Sequence, residues 1–140
     1  KEFPIANNKM ILNNIMMLPE TQITTEQIKI KFLSPLIVRE RVNEKDWYYS
    51  YCDGEKFEEI LKINVKEQLE TTNIPKETVD TLKLEPINPK KTVVKFYEKQ
   101  MQASLGTYLL SGDKILLNFL YQCGLGSRHS SGFGMFSIIK

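Results

Sequence analysis

Histidine is almost absent from this chain: His129 is the only one among 140 residues. Tryptophan is as scarce, with Trp47 alone, and there are two cysteines, Cys52 and Cys123, far apart. One histidine and two distant cysteines supply neither a disulfide framework nor a set of zinc ligands, so no metal and no other cofactor is expected. Both thiols are expected to behave as small buried hydrophobes in a reducing, cytoplasmic compartment. The net charge is only +2, which excludes a nucleic-acid binder recognisable from composition; an RNA-binding face would have to come from local clustering. The longest apolar clusters, around Met10–Leu18 and Ile115–Leu120, are interrupted by asparagine and fall short of the roughly 20 residues that cross a bilayer, so no membrane is expected as a partner. Lys1-Glu2-Phe3-Pro4 has no character of a secretory signal.

What is present is the composition of a globular domain, with 41% apolar and 26% charged residues. Residues 1–27 hold two short apolar runs, Lys9–Leu12 and Ile15–Leu18, separated by Asn13-Asn14 and compatible with a hairpin or one strand and a turn. So apolar a beginning is expected of a remnant or linker from an upstream domain. From Ile28 a second unit is expected to run to Lys140. Ile28, Ile30 and Phe32 alternate with Lys29 and Lys31, a strand with one buried face. Ser34-Pro35 interrupts it, and Leu36–Val38 resumes it up to Arg39-Glu40-Arg41.

Asp46–Gly54 reads as a polar, aromatic-rich connection, with Asp53 as the cap of the following helix. In that helix Phe57, Ile60, Leu61, Val65 and Leu69 form one stripe, and Thr71–Pro75 breaks it. A strand is expected over Thr81–Glu85, a stop at Pro86–Pro89, a strand at Val93–Phe96 and another from Gln102 to Leu110. Gly112-Asp113 opens an apolar helix that Gly124 ends. A last strand holds Phe133, Met135, Phe136, Ile138 and Ile139. The order strand, helix, strand, strand, helix, strand predicts an α+β, ferredoxin-like (RNA-recognition-motif-like) fold: a four-stranded antiparallel sheet with both helices on one face.

Four glycines fall within one short string, Gly124-Leu125-Gly126-Ser127-Arg128-His129-Ser130-Ser131-Gly132-Phe133-Gly134. It joins the second helix to the last strand. It is not a dinucleotide fingerprint, which follows a strand and opens a helix, and it lacks the Lys-Ser/Thr of a phosphate loop. Gly124 as a helix cap and Gly132 and Gly134 as a bulge would be an ordinary account of it. Lys90, Lys91, Lys95 and Lys99 form a basic run that suits either an RNA groove or a guarded sheet edge. Trp47, Tyr48, Tyr49 and Tyr51 suit either base stacking or sheet cover.

The string resembles the terminal glycine-rich signature of the CRISPR-associated endoribonucleases that cut repeat RNA into guide RNAs, a branch of the repeat-associated mysterious protein superfamily. That signature is Gly-apolar-Gly, five residues with at least one Lys or Arg, then Gly-apolar-Gly. Leu125 and Phe133 fill the apolar slots and Arg128 supplies the base. Phe32–Arg39, with its Leu-Ser-Pro centre, Asp46-Trp47-Tyr48-Tyr49 with the helix after it, and Gly106–Cys123 resemble further segments of the family. The resemblance covers Ile28 to Lys140.

The resemblance implies binding and metal-independent cleavage of CRISPR repeat RNA (pre-crRNA), leaving 2′,3′-cyclic phosphate and 5′-OH ends. It implies RNA contacts from Gly124, Gly126, Ser127, Arg128, Ser130, Ser131, Gly132 and Gly134, with Lys91 and Lys95 lining a groove. Family members usually carry the catalytic histidine in an N-terminal domain, so His129 is a base by default only, against stacking on a nucleobase or facing solvent. Effector-complex subunits or a second copy of the chain are open as further partners. The competing readings are a non-catalytic RNA-binding subunit of an effector complex and a small-molecule-binding regulatory domain, and the second leaves Arg128 and the glycine pairs unexplained.

Overall fold

A computed structural model describes all 140 residues and shows an α+β chain built on antiparallel sheets. At the N-terminus β1 (Glu2–Ile5) pairs with β2 (Asn8–Ile11) in a hairpin. Every residue from 1 to 22 is exposed, including Ile15, Met16, Met17 and Leu18. Ile23 is different. It is buried in the main core, and Asn118 brackets its backbone, accepting from its N–H at 2.8 Å and donating to its carbonyl at 2.9 Å.

β3 (Gln27–Phe32) buries Ile30 and Phe32 and exposes Lys29 and Lys31, as the period of two requires. The chain then departs from expectation. β4 (Val38–Val42) and β5 (Lys45–Tyr49) form a separate two-stranded hairpin, so Asp46–Tyr49 is strand and not connection. Asn43 and Glu44 turn it, both with positive φ (50° and 64°), the twist that two-residue hairpin turns need. Charged and aromatic residues occupy both faces, which hid the period. Asp53 does not cap the next helix either. Its carboxylate accepts from the Ser50 N–H at 2.8 Å and closes a 3-10 turn over Tyr51–Asp53. Gly54, at φ +59°, makes the corner before α1 (Glu55–Gln68).

β6 (Lys83–Phe96) and β7 (Lys99–Ser111) form one long antiparallel ribbon. Pro86–Pro89 is therefore not a stop. β6 is the sheet edge, and its register shifts between Pro86 and Asn88, where a missing N–H is tolerated. Opposite Pro89, Gly106 sits against the Asn88 carbonyl, where a Cβ would not fit. α2 (Lys114–Cys123) starts at Asp113, whose side chain accepts from the Ile115 N–H at 2.9 Å, and ends at Gly124. β8 (Phe136–Ile139) returns beside β3. The sheet order is β6-β7-β3-β8, every neighbouring pair antiparallel.

The main core joins the buried stripes of both helices to one face of this sheet, through Phe57, Ile60, Leu116, Leu120, Ile30 and Tyr108 among others. Each such large side chain contributes about 1.5–3 kcal/mol on leaving water. A second cluster of Ile37, Met101 and Ala103, flanked by Tyr48, Val94, Phe96 and Phe133, fastens the distal ribbon to β5 and to the loop after α2. The thiols do not follow the expected burial: Cys52 is exposed and Cys123 half-buried, its thiol pushed up to about 11 by burial. No helix is long and apolar enough to cross a membrane.

Candidate functional site

The loop from Gly124 to Met135 threads over the gap between β3 and β4. Its backbone is tied at several points: the Leu125 N–H donates to the Gly134 carbonyl (3.0 Å), Gly134 N–H to Pro35 (2.9 Å) and Ser127 N–H to Ile37 (2.8 Å). Gln68, at the end of α1, donates from Nε2 to the Gly124 carbonyl and accepts from the Gly126 N–H through Oε1, each at 2.9 Å. Ser34 Oγ donates to the Gly132 carbonyl (2.6 Å) and accepts from Met135 N–H (3.0 Å). Leu125 is fully buried, and Phe133 meets Phe96 edge-on at 5.5 Å.

The four glycines are not equivalent. A Cβ on Gly126 would lie 2.6 Å from the Ile37 carbonyl oxygen, and one on Gly134 would run into the Leu125 backbone. Gly124 would press on Phe133 and His129 at 3.2 and 3.3 Å. Gly132 has open space around it and answers only to a positive φ of 90°. Ser130 and Ser131 are exposed in a 3-10 turn over His129–Ser131, and Ser127 lies half-buried beside them. The His129 ring is held with Nδ1 3.2 Å from the Gly126 carbonyl oxygen.

Arg128 points inward. It adopts φ +56°, its Nη2 donates to the Tyr48 hydroxyl at 2.9 Å and lies 3.6 Å from Asp46, and its guanidinium covers Phe96 at 5.2 Å. Lys99 also reaches Asp46, at 3.5 Å. Lys91 and Lys95 are exposed on the other side of the ribbon from Val94 and Phe96, so β6 separates them from Arg128. Asp46, expected only as the start of an aromatic-rich connection, is a site residue that the sequence did not mark as one. Arg39, Arg41, Asp46 and Tyr48 share one face of the β4–β5 hairpin, with Arg41 opposite Asp46 and Arg39 opposite Tyr48. Recognising Asn43-Glu44 as a turn would have exposed that face. Burial pushes the Asp46 carboxyl up, but Arg39, Lys99 and Arg41 outweigh it and hold the group below the usual carboxylate range.

Residues 18–138 match the family model described as CRISPR associated protein Cas6, C-terminal. The chain belongs to this family. The Cas6 resemblance extends to a CRISPR-associated endoribonuclease Cas6 of Methanocaldococcus jannaschii, 30% identical over an alignment 117 positions long that covers 76% of this chain and 43% of that protein. The fold superposes on a solved Cas6-related protein from Pyrococcus furiosus with a TM-score of 0.85 and 26% identity, covering 99% of this chain and 58% of the other. It also superposes on a RAMP protein described as binding different RNA substrates (TM-score 0.82, 22% identity, 99% and 59% coverage), a likeness of fold. The chain thus spans about half the length of the proteins it matches.

Proposed function

We propose that this chain is the RNA-binding C-terminal part of an endoribonuclease that binds CRISPR repeat RNA and cuts it into guide RNAs. The match to the Cas6 C-terminal family over residues 18–138 carries this reading. In it, the β-α-β-β-α-β unit is the second of two ferredoxin-like domains. Residues 1–27 belong to the join with an upstream one, which the exposed apolar stretch Ile15–Leu18 supports. The setting is cytoplasmic.

The chemistry needs no metal. The ribose 2′-OH attacks the adjacent phosphorus, a base takes its proton, the P–O5′ bond breaks and an acid protonates the departing oxygen. The products are a 2′,3′-cyclic phosphate and a 5′-OH. The glycine-rich loop takes the RNA backbone at its exposed turn: Gly132 leaves open space for its approach, Ser130, Ser131 and the half-buried Ser127 offer hydroxyls, and Gly124, Gly126 and Gly134, packed against the protein's own backbone, hold the loop's shape. Arg128 supplies charge, and Lys91 and Lys95, on the opposite face of the ribbon, meet RNA only where it passes round the β6 edge. The base comes from the upstream domain, which is where the family resemblance puts the catalytic histidine; the Nδ1 contact of His129 with the Gly126 carbonyl leaves Nε2 open and does not decide the matter. That His129 is the only histidine of these 140 residues favours the second reading, a non-catalytic RNA-binding subunit of an effector complex. Effector subunits or a second copy of the chain are the partners either reading admits.

The test is repeat RNA incubated with the chain in excess EDTA and resolved on a denaturing gel. Binding without cleavage, converted to a single cut when the upstream domain is restored, is the expected result. A cut by these 140 residues alone, lost in His129→Ala, would move the base onto His129. Binding that no upstream domain converts to cleavage would establish the subunit reading.

A further inference from the structure

Asp46 is the centre of an unbalanced charge cluster. Arg41 Nη1 lies 3.3 Å from one of its carboxylate oxygens, and Lys99 Nζ (3.5 Å), Arg128 Nη2 (3.6 Å) and Arg39 Nη1 (3.8 Å) surround the other. Four cations from three separate parts of the fold share one carboxylate. None is at the 2.7–2.9 Å of a committed charge-assisted bond. A structural ion pair would match charges closely; here an excess of three positive charges is held at one point. The Asp46 side chain is 4% exposed, whereas those of Arg41 and Lys99 are 58% and 61% exposed and face outward; Arg39 and Arg128, at 31% and 21%, lie deeper beside the carboxylate.

Two further features set the cluster apart from a closed ion-pair network. Arg128 Nε is buried with no hydrogen-bond partner, so the donors of this guanidinium are not all committed to Asp46 and Tyr48. Two clefts also open beside the cluster. One, of about 460 Å³, is lined by Glu44, Lys45, Asp46, Trp47, Tyr48 and Lys99. The other, of about 200 Å³, is lined by Arg39, Glu67, Ser127, Arg128 and His129 and reaches the glycine-rich loop.

We infer that the cluster of Arg39, Arg41, Lys99 and Arg128 is a binding site for a backbone phosphate of RNA, with Asp46 as the counter-ion it carries when empty. The inference rests on the RNA reading above and adds a second contact region, on the β4–β5 hairpin, to the glycine-rich loop. Arginine suits the position because its donor fork matches phosphate oxygens.

The test is anisotropy of a labelled single-stranded repeat RNA titrated with the chain across a salt series. Neutralising one phosphate contact should flatten the slope of log Kd against log salt by about 0.7. Arg41→Ala and Lys99→Ala are each expected to do so and to weaken binding several-fold, while Lys76→Ala, on a distant 3-10 turn, leaves the slope unchanged. Asp46→Asn is expected to tighten binding about threefold by removing the competing charge, a direction that mere loss of structure would not produce. Thermal melts of each variant separate folding from binding. RNA bound by the wild-type chain with an unchanged slope in both Arg41→Ala and Lys99→Ala overturns the site alone. Failure of the wild-type chain to bind RNA overturns the function proposed above and this site with it.

Discussion

The N-terminal stretch 1–22 and the loop 124–134 reverse what their compositions suggest. The first is rich in Met, Ile and Leu yet fully exposed; Met17 is 97% exposed. The second is mostly glycine, serine and charge, yet Gly124, Leu125, Gly126 and Gly134 are buried. Apolar composition creates a demand for burial, but meeting it needs a facing surface, and none of these 140 residues provides one for the first stretch. The loop is fixed by different forces: backbone hydrogen bonds to Pro35, Ile37 and Gln68, and approaches too close for a Cβ. Hydrophobicity and order are therefore separable within one small chain.

Substitutions should separate them in a graded way. Gly134→Ala is expected to have the largest effect, since its Cβ would enter the Leu125 backbone; a loss of about 3 kcal/mol or more in denaturant unfolding is the expected outcome. Gln68→Ala comes next. It strands the Gly124 carbonyl and the Gly126 N–H in the interior, and about 2–3 kcal/mol should be lost. Gly132→Ala meets open space, leaving only the left-handed backbone, so about 1–2 kcal/mol is expected from the same measurement. Removing residues 1–11 should change stability by less than about 0.5 kcal/mol, because that hairpin buries none of its side chains. A large loss on that truncation, or equal losses at Gly132 and Gly134, would break the comparison.

Acid should act on the Asp46 cluster in the direction its low pKa sets. A carboxyl whose folded value is depressed contributes stability above the unfolded value near 4, and loses it as pH falls through the folded value. In a melt series, Asp46→Asn is therefore expected to lessen the loss of stability below about pH 4.

Much of the fold was legible in the residues. The alternation of Ile28, Ile30 and Phe32 marked β3, and the stripe from Phe57 to Val65 marked α1. Asp113 and Gly124 marked both ends of α2. The β4–β5 hairpin escaped because neither of its faces is plainly apolar. The continuity of β6 escaped because Pro86 and Pro89 interrupt a central strand but not an edge. In the site, the spacing of the glycines was visible, but not which of them need to be glycine, nor that Arg128 turns inward.

The periodic elements, their order and the family resemblance follow from side-chain period and turn chemistry, which are local properties of the chain. The folded chain is needed to see that Asp46 gathers cations from β4, β7 and the loop, that Gln68 clamps Gly124 and Gly126, and that Gly134 but not Gly132 is sterically required. Each of these depends on groups distant in sequence meeting within a few ångströms, and no local pattern encodes that distance.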